Sequence, residues 1–364
     1  MGCHRSPDTV EPAYNIQETQ KKMKILITGG AGFIGCNSAD RFLQQGHEVV
    51  VFDNLSRIGA TDNLGWLRQR HKAGLSFFKG DVREYATLAE AVRGSDVVLH
   101  LASQVAVTTS VEQPREDFEI NSFGTFNALE AVREHAPDAI FLYASTNKVY
   151  GGMESVGIVE RDGRYGYASY DHGIPETYPL DFHSPYGCSK GSGDQYTIDY
   201  ARIYGLKTVS FRQSCIYGPR QFGVEDQGWV AHFIIAAVTG KPITIYGDGR
   251  QVRDVLHVSD LITAYERAIE CIEDCSGEAI NVGGGPQNTL SIWAEFGPLL
   301  EQLKGGPVPV RYGPWRPGDQ RVFVADVRKA EQMLGWLPVI SPSEGITALY
   351  HWVVENQGLF HKKE

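Results

Sequence analysis

Short apolar segments alternate with amphipathic segments from Met23 onward. The segments "KILITG", "EVVVFD", "LSFFKG", "DVVLHLA", "AIFLYAS" and "KTVSFR" are apolar or β-prone runs, which are typical of strands buried on both faces. Between them, "GFIGCNSADRFLQQG", "EYATLAEAVRG" and a stretch near 117–135 carry apolar residues at helical spacing. Strands separated by helices predict an α/β fold with a doubly wound parallel sheet of the Rossmann type.

This alternation changes twice along the chain. Residues 151–182 are rich in glycine, tyrosine and charge and show no clear period, so we expect either a lid over a site or a solvated surface insertion. After residue 212, Pro/Gly turns, short strands and amphipathic helices predict a smaller α+β domain, while "DVLHVSDLITAYERAIE" and "EAINVGG" are expected to return to the sheet. The predicted division is therefore a flexible extension 1–22, a main domain 23–212 with 253–283, and a second domain 213–252 with 284–362.

Composition narrows the classes of function. The 364 residues carry a formal net charge of −10, which argues against the basic surface that nucleic-acid binding requires. No run approaches the roughly 18 apolar residues of a membrane-spanning helix. The six cysteines form no Cys-x-x-Cys pair and no cluster with histidine, so we expect reduced thiols, a cytoplasmic location and no metal site. The polar N-terminus lacks a signal sequence, although "MGCHRS" fits a myristoylation pattern beside Cys3.

A glycine-rich junction predicts a dinucleotide site. In "KILITGGAGFIG", Gly29, Gly32 and Gly35 stand between a strand and a helix, where the backbone can approach a pyrophosphate and the helix N-terminus can bind it. Asp53 ends the second strand, where a carboxylate would accept hydrogen bonds from a ribose and repel a 2′-phosphate. We therefore expect NAD, with Arg57 keeping NADP as the alternative.

A tyrosine and a lysine in "HSPYGCSK" add candidate chemistry. Tyr186 and Lys190 are four residues apart, so they share one face of a helix. Combined with the glycine spacing, they resemble the extended short-chain dehydrogenase/reductase superfamily (NAD-dependent epimerase/dehydratase family). The resemblance implies that Tyr186 is the acid/base, that Lys190 lowers its pKa and holds the ribose, and that Thr146 of "YASTNKVYG" bonds the reacting oxygen.

The same resemblance implies a set of cofactor contacts. "GDV" at 80–82 would lie near the adenine, "LHLAS" at 99–103 beside the ribose, and "EINSFGTFNALEA" would supply the asparagine of an Asn-x-x-Gly-Thr helix start. The residues expected to bind NAD are Gly29, Gly32, Phe33, Ile34, Gly35, Asp53, Asn54, Asp81, Val82, Leu101, Ala102, Gln104, Asn121, Tyr186 and Lys190.

Two arginine segments indicate the substrate class. "RQVRDVLHV" and "WRPGDQR" resemble the segments that clamp a nucleotide diphosphate, because guanidinium groups of Arg253 and Arg316 can meet phosphate oxygens bidentately. The relatives that dehydrate sugars carry an Asp-Glu pair after the threonine, whereas this chain has Asn147 and Lys148, so dehydration is not expected. The residues expected to bind substrate are Thr146, Asn147, Gln213, Cys215, Arg220, Gln227, Arg253, Arg316 and Asp319.

Several longer sequence segments point to a more specific group within this superfamily. "STNKVYG", "LDFHSPYGCSKG", "DQGWV", "QVRDVLH" and "DQRVFVAD" are similar to those of CDP-tyvelose (CDP-paratose) 2-epimerases. This implies inversion at C2 of a nucleotide-diphosphate sugar through a transient 2-keto sugar, with NAD held throughout, by a homodimer paired through the helices near 117–135 and 187–204. The alternatives are a UDP-hexose 4-epimerase of the same fold and a non-catalytic NAD-binding paralogue.

Overall fold

The computed structural model describes residues 21–316 and 319–361; most of the predicted extension 1–22, including the myristoylation pattern and Cys3, lies outside them. The strands are β1 (Lys24–Thr28), β2 (Glu48–Asp53), β3 (Leu75–Lys79), β4 (Val97–His100), β5 (Ile140–Thr146), β6 (Ile158–Arg161), β7 (Arg164–Tyr167), β8 (Lys207–Gln213), β9 (Cys215–Tyr217), β10 (Ile243–Tyr246), β11 (Val252–His257), β12 (Glu278–Val282), β13 (Thr289–Ser291), β14 (Val310–Gly313) and β15 (Val322–Phe323).

Helices connect most of these strands. The α-helices are α1 (Phe33–Gln44), α2 (Ala60–Arg70), α3 (Tyr85–Val92), α4 (Val107–Glu112), α5 (Pro114–Asp117), α6 (Gly124–His135), α7 (Ser184–Tyr204), α8 (Trp229–Thr239), α9 (Val258–Glu270), α10 (Ile272–Cys275), α11 (Phe296–Lys304), α12 (Arg328–Leu334) and α13 (Pro342–Glu355). A π-helical turn, Phe118–Phe123, joins α5 to α6, and a 3₁₀ turn, Asn147–Tyr150, follows β5.

The main sheet is the predicted parallel sheet. Seven strands lie in the spatial order β3-β2-β1-β4-β5-β8-β12, and every pair is parallel. Successive side chains of β1 point to opposite faces, and Leu26 packs in a different apolar cluster from Ile25 and Ile27. Both faces are therefore covered, which explains the apolar runs and confirms the α/β Rossmann-type fold. The strand order reverses between β1 and β4, where open α/β sheets bind their ligands.

The second, smaller set of strands lies beyond the carboxyl end of β8. β11 pairs with β9, β13 and β15, and β10 pairs with β14; α8, α11 and α13 pack around a third apolar cluster. β12 and α9 return to the main domain as expected, and α9 packs on α1, where Arg41 donates to Glu266. β11 does not return to the main sheet and pairs in the smaller sheet instead. The exact domain boundaries stay a prediction.

The insertion 151–182 is not an irregular loop. β6 and β7 form an antiparallel hairpin whose two turn residues, Asp162 and Gly163, both have positive φ, as a type I′ turn requires. The hairpin is bound to the smaller domain, since Arg164 donates to Glu295 and to Thr289 and Tyr165 donates to Asp248. The sequence analysis missed this hairpin, and it also missed α2.

A buried ion pair attaches α7 to the main sheet. The guanidinium of Arg212, at the end of β8, donates to both carboxylate oxygens of Asp194, and Ser210 Oγ donates to the same group. Asp194 is fully buried and Arg212 is 4% exposed. Removing one partner of such a pair strands a charge in a low-dielectric interior.

We therefore expect Arg212→Met to lower the free energy of unfolding by about 3–5 kcal/mol in urea titrations, because Asp194 loses its countercharge. Arg202→Met is the matched control, since Arg202 pairs with Asp199 on the exposed face of the same helix; its effect should stay within about 0.5 kcal/mol. Equal effects of the two substitutions would contradict the structural role assigned to the buried pair.

Candidate active site

The β1–α1 junction forms a cradle with free backbone amides. Gly29 has φ +67° and packs so closely on the chain segment after β4 that an added Cβ would lie 2.8 Å from the amide nitrogen of Ala102. An added Cβ at Gly35 would lie 2.6 Å from Gly30 Cα. Within the described part of the chain, no side chain caps the N-terminus of α1, which begins at Phe33 after Gly32. Its amides and positive dipole end are open to an anion, so this junction fits a pyrophosphate.

The end of β2 supplies the predicted carboxylate. Asp53 is 8% exposed and accepts backbone hydrogen bonds from Ala31 (3.0 Å) and Leu55 (2.7 Å). Burial raises the pKa of this carboxyl group, and the two backbone hydrogen bonds oppose the shift. The Ala31 contact fixes Asp53 directly beside the glycine cradle, which is where recognition of a ribose would require it. Arg57, the residue behind the NADP alternative, donates to Gln227 Oε1 (2.6 Å).

A second acidic group follows β3. Asp81 receives a bidentate pair of hydrogen bonds from Arg83 (2.9 and 2.8 Å) and one from Asn54 (2.9 Å). Hydrogen bonding with Arg83 lowers the pKa of Asp81 to about 2, so this carboxylate is charged at neutral pH. The predicted pair Asn54 and Asp81 thus stands together, next to the buried Val82.

The chain beyond β4 closes the other side of the cradle. Thr28 positions this segment, because its hydroxyl accepts hydrogen bonds from the backbone amides of Leu101 (3.2 Å) and Ala102 (3.3 Å). Asn121 is 1% exposed and holds the backbone of Gln104 from both sides (2.9 and 3.0 Å). Asn121 therefore shapes the segment beside the cofactor rather than offering its own amide to a ligand.

Thr146 and Tyr186 meet at the end of β5. Thr146 is the last residue of β5, and its Oγ1 accepts the backbone amide of Lys148 (3.2 Å), which starts the 3₁₀ turn. Tyr186 lies in the first turn of α7 and is 9% exposed. Burial raises the pKa of Tyr186 to about 12, and a side-chain hydrogen bond with Thr146 opposes this shift. The predicted pair is therefore together, with the phenol protonated.

Lys190 lies one turn further along α7 and is almost fully buried. Its Nζ donates to the backbone carbonyl of Ala144 (2.6 Å) and lies 4.3 Å from the centre of the Tyr143 ring. Burial lowers the pKa of Lys190 to about 7, while Asp194 and Asp117 oppose the shift. Tyr143 and Asp117 were missed by the sequence analysis, because an apolar strand and a single helical aspartate carry no pattern of their own.

The expected effect of Lys190 and the nicotinamide ring on the phenol stays a prediction. The causes that act on Tyr186 are burial, Thr146 and Asp117, and their net effect raises the pKa instead of lowering it. Lys190 is itself desolvated, which disfavours its charged form. A phenolate at this position requires additional positive charge from a ligand.

The predicted substrate residues separate into two groups. Arg253, on β11, donates to Asp319 Oδ1 (2.7 Å), and both act electrostatically on Lys148. Cys215 joins this group, since its thiol lies near Arg253 and Lys148. Asn147 accepts from the Thr146 hydroxyl (3.3 Å), which connects the group to the catalytic threonine.

The other predicted residues lie in different surroundings. Arg316 stacks over Tyr246 (3.8 Å) and pairs with Asp226 (3.1 Å); its carbonyl accepts the amide of Asp319, so the same loop carries both residues. Gln213 donates to the buried Tyr265 hydroxyl (2.6 Å). The guanidinium of Arg220 lies 4.3 Å from the ring centre of Trp66 and 5.5 Å from that of Trp352, away from Arg253's group of contacts.

Two kinds of feature are absent from the described residues: a metal-binding cluster and a membrane-spanning helix. Across residues 21–316 and 319–361, no group of three or more His, Cys, Asp or Glu residues could hold a metal ion. In the same ranges, no helix has both the length and the apolar character needed to cross a membrane.

Known proteins resemble this chain over nearly its whole length. The family model described as GDP-mannose 4,6-dehydratase matches residues 26–349. The CDP-paratose 2-epimerase of Salmonella typhi is 47% identical over 91% of this chain and 99% of its own length. The UDP-glucose 4-epimerase of Mycolicibacterium smegmatis is 32% identical over 89% and 96%. A crystal structure of UDP-glucuronic acid 4-epimerase from Bacillus cereus, in complex with UDP-glucuronic acid and NAD, has a TM-score of 0.78 at 29% identity, covering 92% of this chain and 99% of that one.

The cradle leads to a first prediction for this site. Gly35→Ala should strongly reduce the NAD content of the purified protein, because the new methyl group collides with the backbone of Gly29 and Gly30. Gly65→Ala is the control: it lies within α2 with open space around it, so it should keep NAD and stabilise the protein by about 0.5–1 kcal/mol. Normal NAD content in Gly35→Ala would show that the junction is not the pyrophosphate site.

The buried amine leads to a second prediction. Lys190 has a folded pKa of about 7, below its unfolded value of 10.5, so the unfolded chain binds more protons between these values. The quantity to compare is the free energy of unfolding of the nucleotide-free wild type minus that of Lys190→Met. This difference should rise from pH 7.5 to 9.5, with a slope that approaches ~1.4 kcal/mol per pH unit. Urea titrations at several pH values measure it, and a pH-independent difference would refute the burial effect.

Proposed function

Because the chain belongs to the GDP-mannose 4,6-dehydratase family, within the extended short-chain dehydrogenase/reductase superfamily, we propose that it is an NAD-dependent isomerase that inverts C2 of a nucleotide-diphosphate sugar. The substrate is CDP-paratose, with CDP-tyvelose as product, or the CDP-glucose/CDP-mannose pair. One observation carries this proposal: the identity of 47% to a CDP-paratose 2-epimerase extends over 99% of that relative. A UDP-hexose 4-epimerase is the weaker alternative, because the corresponding identity is 32%.

The residues after Thr146 argue against dehydration, which the family's name would suggest. Elimination of water needs an acid and a base near the sugar, and Asn147 and Lys148 offer an amide and an amine. Asn147 already accepts from the Thr146 hydroxyl, so its side chain is oriented toward the reacting end of the site. This arrangement supports an isomerase that leaves the hydroxyl groups of the sugar in place.

The proposed mechanism divides the work between cofactor and protein. When bound, NAD supplies a reversible hydride acceptor for C2. Tyr186 takes the proton of the C2 hydroxyl and returns it after the sugar has turned its other face, and Thr146 holds the same oxygen by a hydrogen bond. The pyrophosphate would lie on the amides of the β1–α1 junction, with Asp53 on the ribose and Lys190 behind the phenol.

The pKa values explain why the base needs a bound cofactor. With its pKa near 12, Tyr186 stays protonated in the ligand-free protein. An oxidised nicotinamide carries a positive charge, which favours the phenolate, and proton uptake by Lys190 would add a second. The bound sugar would also exclude water, and opposite charges attract each other more strongly in a dry site. We therefore expect the base to form when the cofactor is bound.

An exposed apolar face supports the predicted homodimer. It is formed by α4, the π-helical turn, α6 and α7, and it contains Val111, Phe118, Phe123, Phe126, Tyr196, Ile203 and Tyr204. Apolar patches of this kind mark association sites on soluble proteins. The two-helix pairing and the cytoplasmic location both stay predictions; the free thiols of all five cysteines among the described residues support a reducing compartment.

We expect Tyr186→Phe to reduce turnover of CDP-paratose by at least about a hundredfold, because the acid/base is lost, while NAD content stays normal. Tyr204→Phe is the matched control, since it removes a hydroxyl from an exposed tyrosine on the same helix. Product analysis by NMR identifies the carbon that inverts. Near-normal turnover by Tyr186→Phe would remove the phenol from the mechanism, and inversion at C4 of a UDP-hexose alone would replace the 2-epimerase with the alternative.

A further inference from the structure

Lys148 of "STNKVYG" has no role in the proposed mechanism, although it lies close to the catalytic threonine. It lies in the 3₁₀ turn directly after β5, and its backbone amide donates to Thr146 Oγ1 (3.2 Å). Among residues 21–316 and 319–361, no group forms a hydrogen bond or an ion pair with its Nζ. The side chain of Lys148 is half-buried, and its Nζ is therefore free to bind a ligand beside Thr146.

The surroundings of Lys148 are positively charged. Burial and the nearby Arg253 lower its pKa, while Asp319 and Cys215 oppose the shift. The Asp319 carboxylate is bound to Arg253 at 2.7 Å, and burial raises the pKa of the Cys215 thiol, which keeps it neutral. Lys148 and Arg253 against Asp319 leave one net positive charge. An anion is the ligand that this group lacks.

The chemistry of the substrate identifies that anion. In a sugar nucleotide, C1 carries the diphosphate and C2 is bonded directly to C1, whereas C4 lies across the ring. An enzyme that holds the C2 oxygen on Thr146 must therefore also accommodate a phosphate close to Thr146. Lys148 begins its side chain two residues away in the same turn, and Arg253 approaches from β11. A 4-epimerase has no such need, because its phosphate lies at the far end of the sugar.

We propose that Lys148, with Arg253, binds the phosphate attached to C1 of the sugar and so positions C2, rather than C4, against Thr146 and Tyr186. The part of this inference that concerns C2 rather than C4 rests on the proposed function. The phosphate contact itself is independent of which carbon inverts. Lys148 is thus a specificity-determining residue that touches the substrate, in the position where the dehydrating relatives place an acidic side chain.

The test compares two nucleotides that differ by this one phosphate. CDP contains the phosphate that would carry the sugar, and CMP lacks it. Calorimetric titration of the NAD-loaded enzyme with each should show that Lys148→Met weakens CDP about tenfold and leaves CMP unchanged, as expected for the loss of one charged hydrogen bond. Lys148→Arg should restore most of the CDP affinity. Lys207→Met, which removes an exposed lysine paired with Glu273, should change neither.

The outcomes separate the two proposals. A Lys148→Met protein that loses CDP and CMP affinity equally, or neither, overturns the phosphate contact; NAD content and the unfolding midpoint exclude a folding defect, and Lys148→Gln replaces the methionine variant if it fails to fold. UDP and UMP take the place of CDP and CMP if wild type binds the uridine pair more tightly. Absence of C2 inversion by wild type would refute the proposed function, whereas the contrast between di- and monophosphate would still decide the role of Lys148.

Discussion

The attachment of α7 to the ends of β5 and β8 is the constraint on which the site depends. Asp194 is bound by Arg212 and Ser210 from β8, and Lys190 donates to the carbonyl of Ala144 on β5. These contacts fix the rotation of α7 about its axis, because both residues point to the sheet from one side of the helix. Tyr186, one turn before Lys190, is thereby carried to Thr146. Without this attachment the phenol and the hydroxyl would come from two independently moving elements.

The same burial that fixes α7 determines the electrostatics. A dry environment disfavours charge on any group, so it raises the pKa of Tyr186 and lowers that of Lys190. Both shifts favour the neutral form of the side chain, because a neutral pair costs less free energy than a charged pair in a buried environment. Under the proposed mechanism, the positive charge of the bound nicotinamide ring would compensate a phenolate at Tyr186.

The sequence predicts the parts of this structure that depend on local pattern. Apolar runs such as "EVVVFD" identify strands buried on both faces, and glycines at a strand–helix junction predict a cradle because few other residues permit that backbone. The predictions that were wrong or missing concern the pairing of strands and the surroundings of individual side chains. "DVLHV" reads the same whether it joins the main sheet or the smaller one, so β11 was assigned to the wrong sheet. The hairpin of the insertion was missed although Asp162-Gly163 is a turn signal, since the flanking residues do not alternate. Burial, which raises the pKa of Tyr186, is a tertiary property that no local pattern in the sequence reveals.

The position after Thr146 shows how one fold can change its reaction with few substitutions. In the proposed mechanism, the hydroxyl of Thr146 and the phenol of Tyr186 act on whichever sugar oxygen lies between them, and neither group distinguishes C2 from C4. The choice between C2 and C4 must therefore come from groups that bind the rest of the substrate. The charged diphosphate is the part of the substrate that such groups can bind most strongly. A cation two residues from the threonine draws that charge close, whereas a carboxylate there would repel it and leave the far end of the sugar to react. Under this proposal, the identity of residue 148 acts on the reaction through electrostatics, without contacting the carbon that inverts.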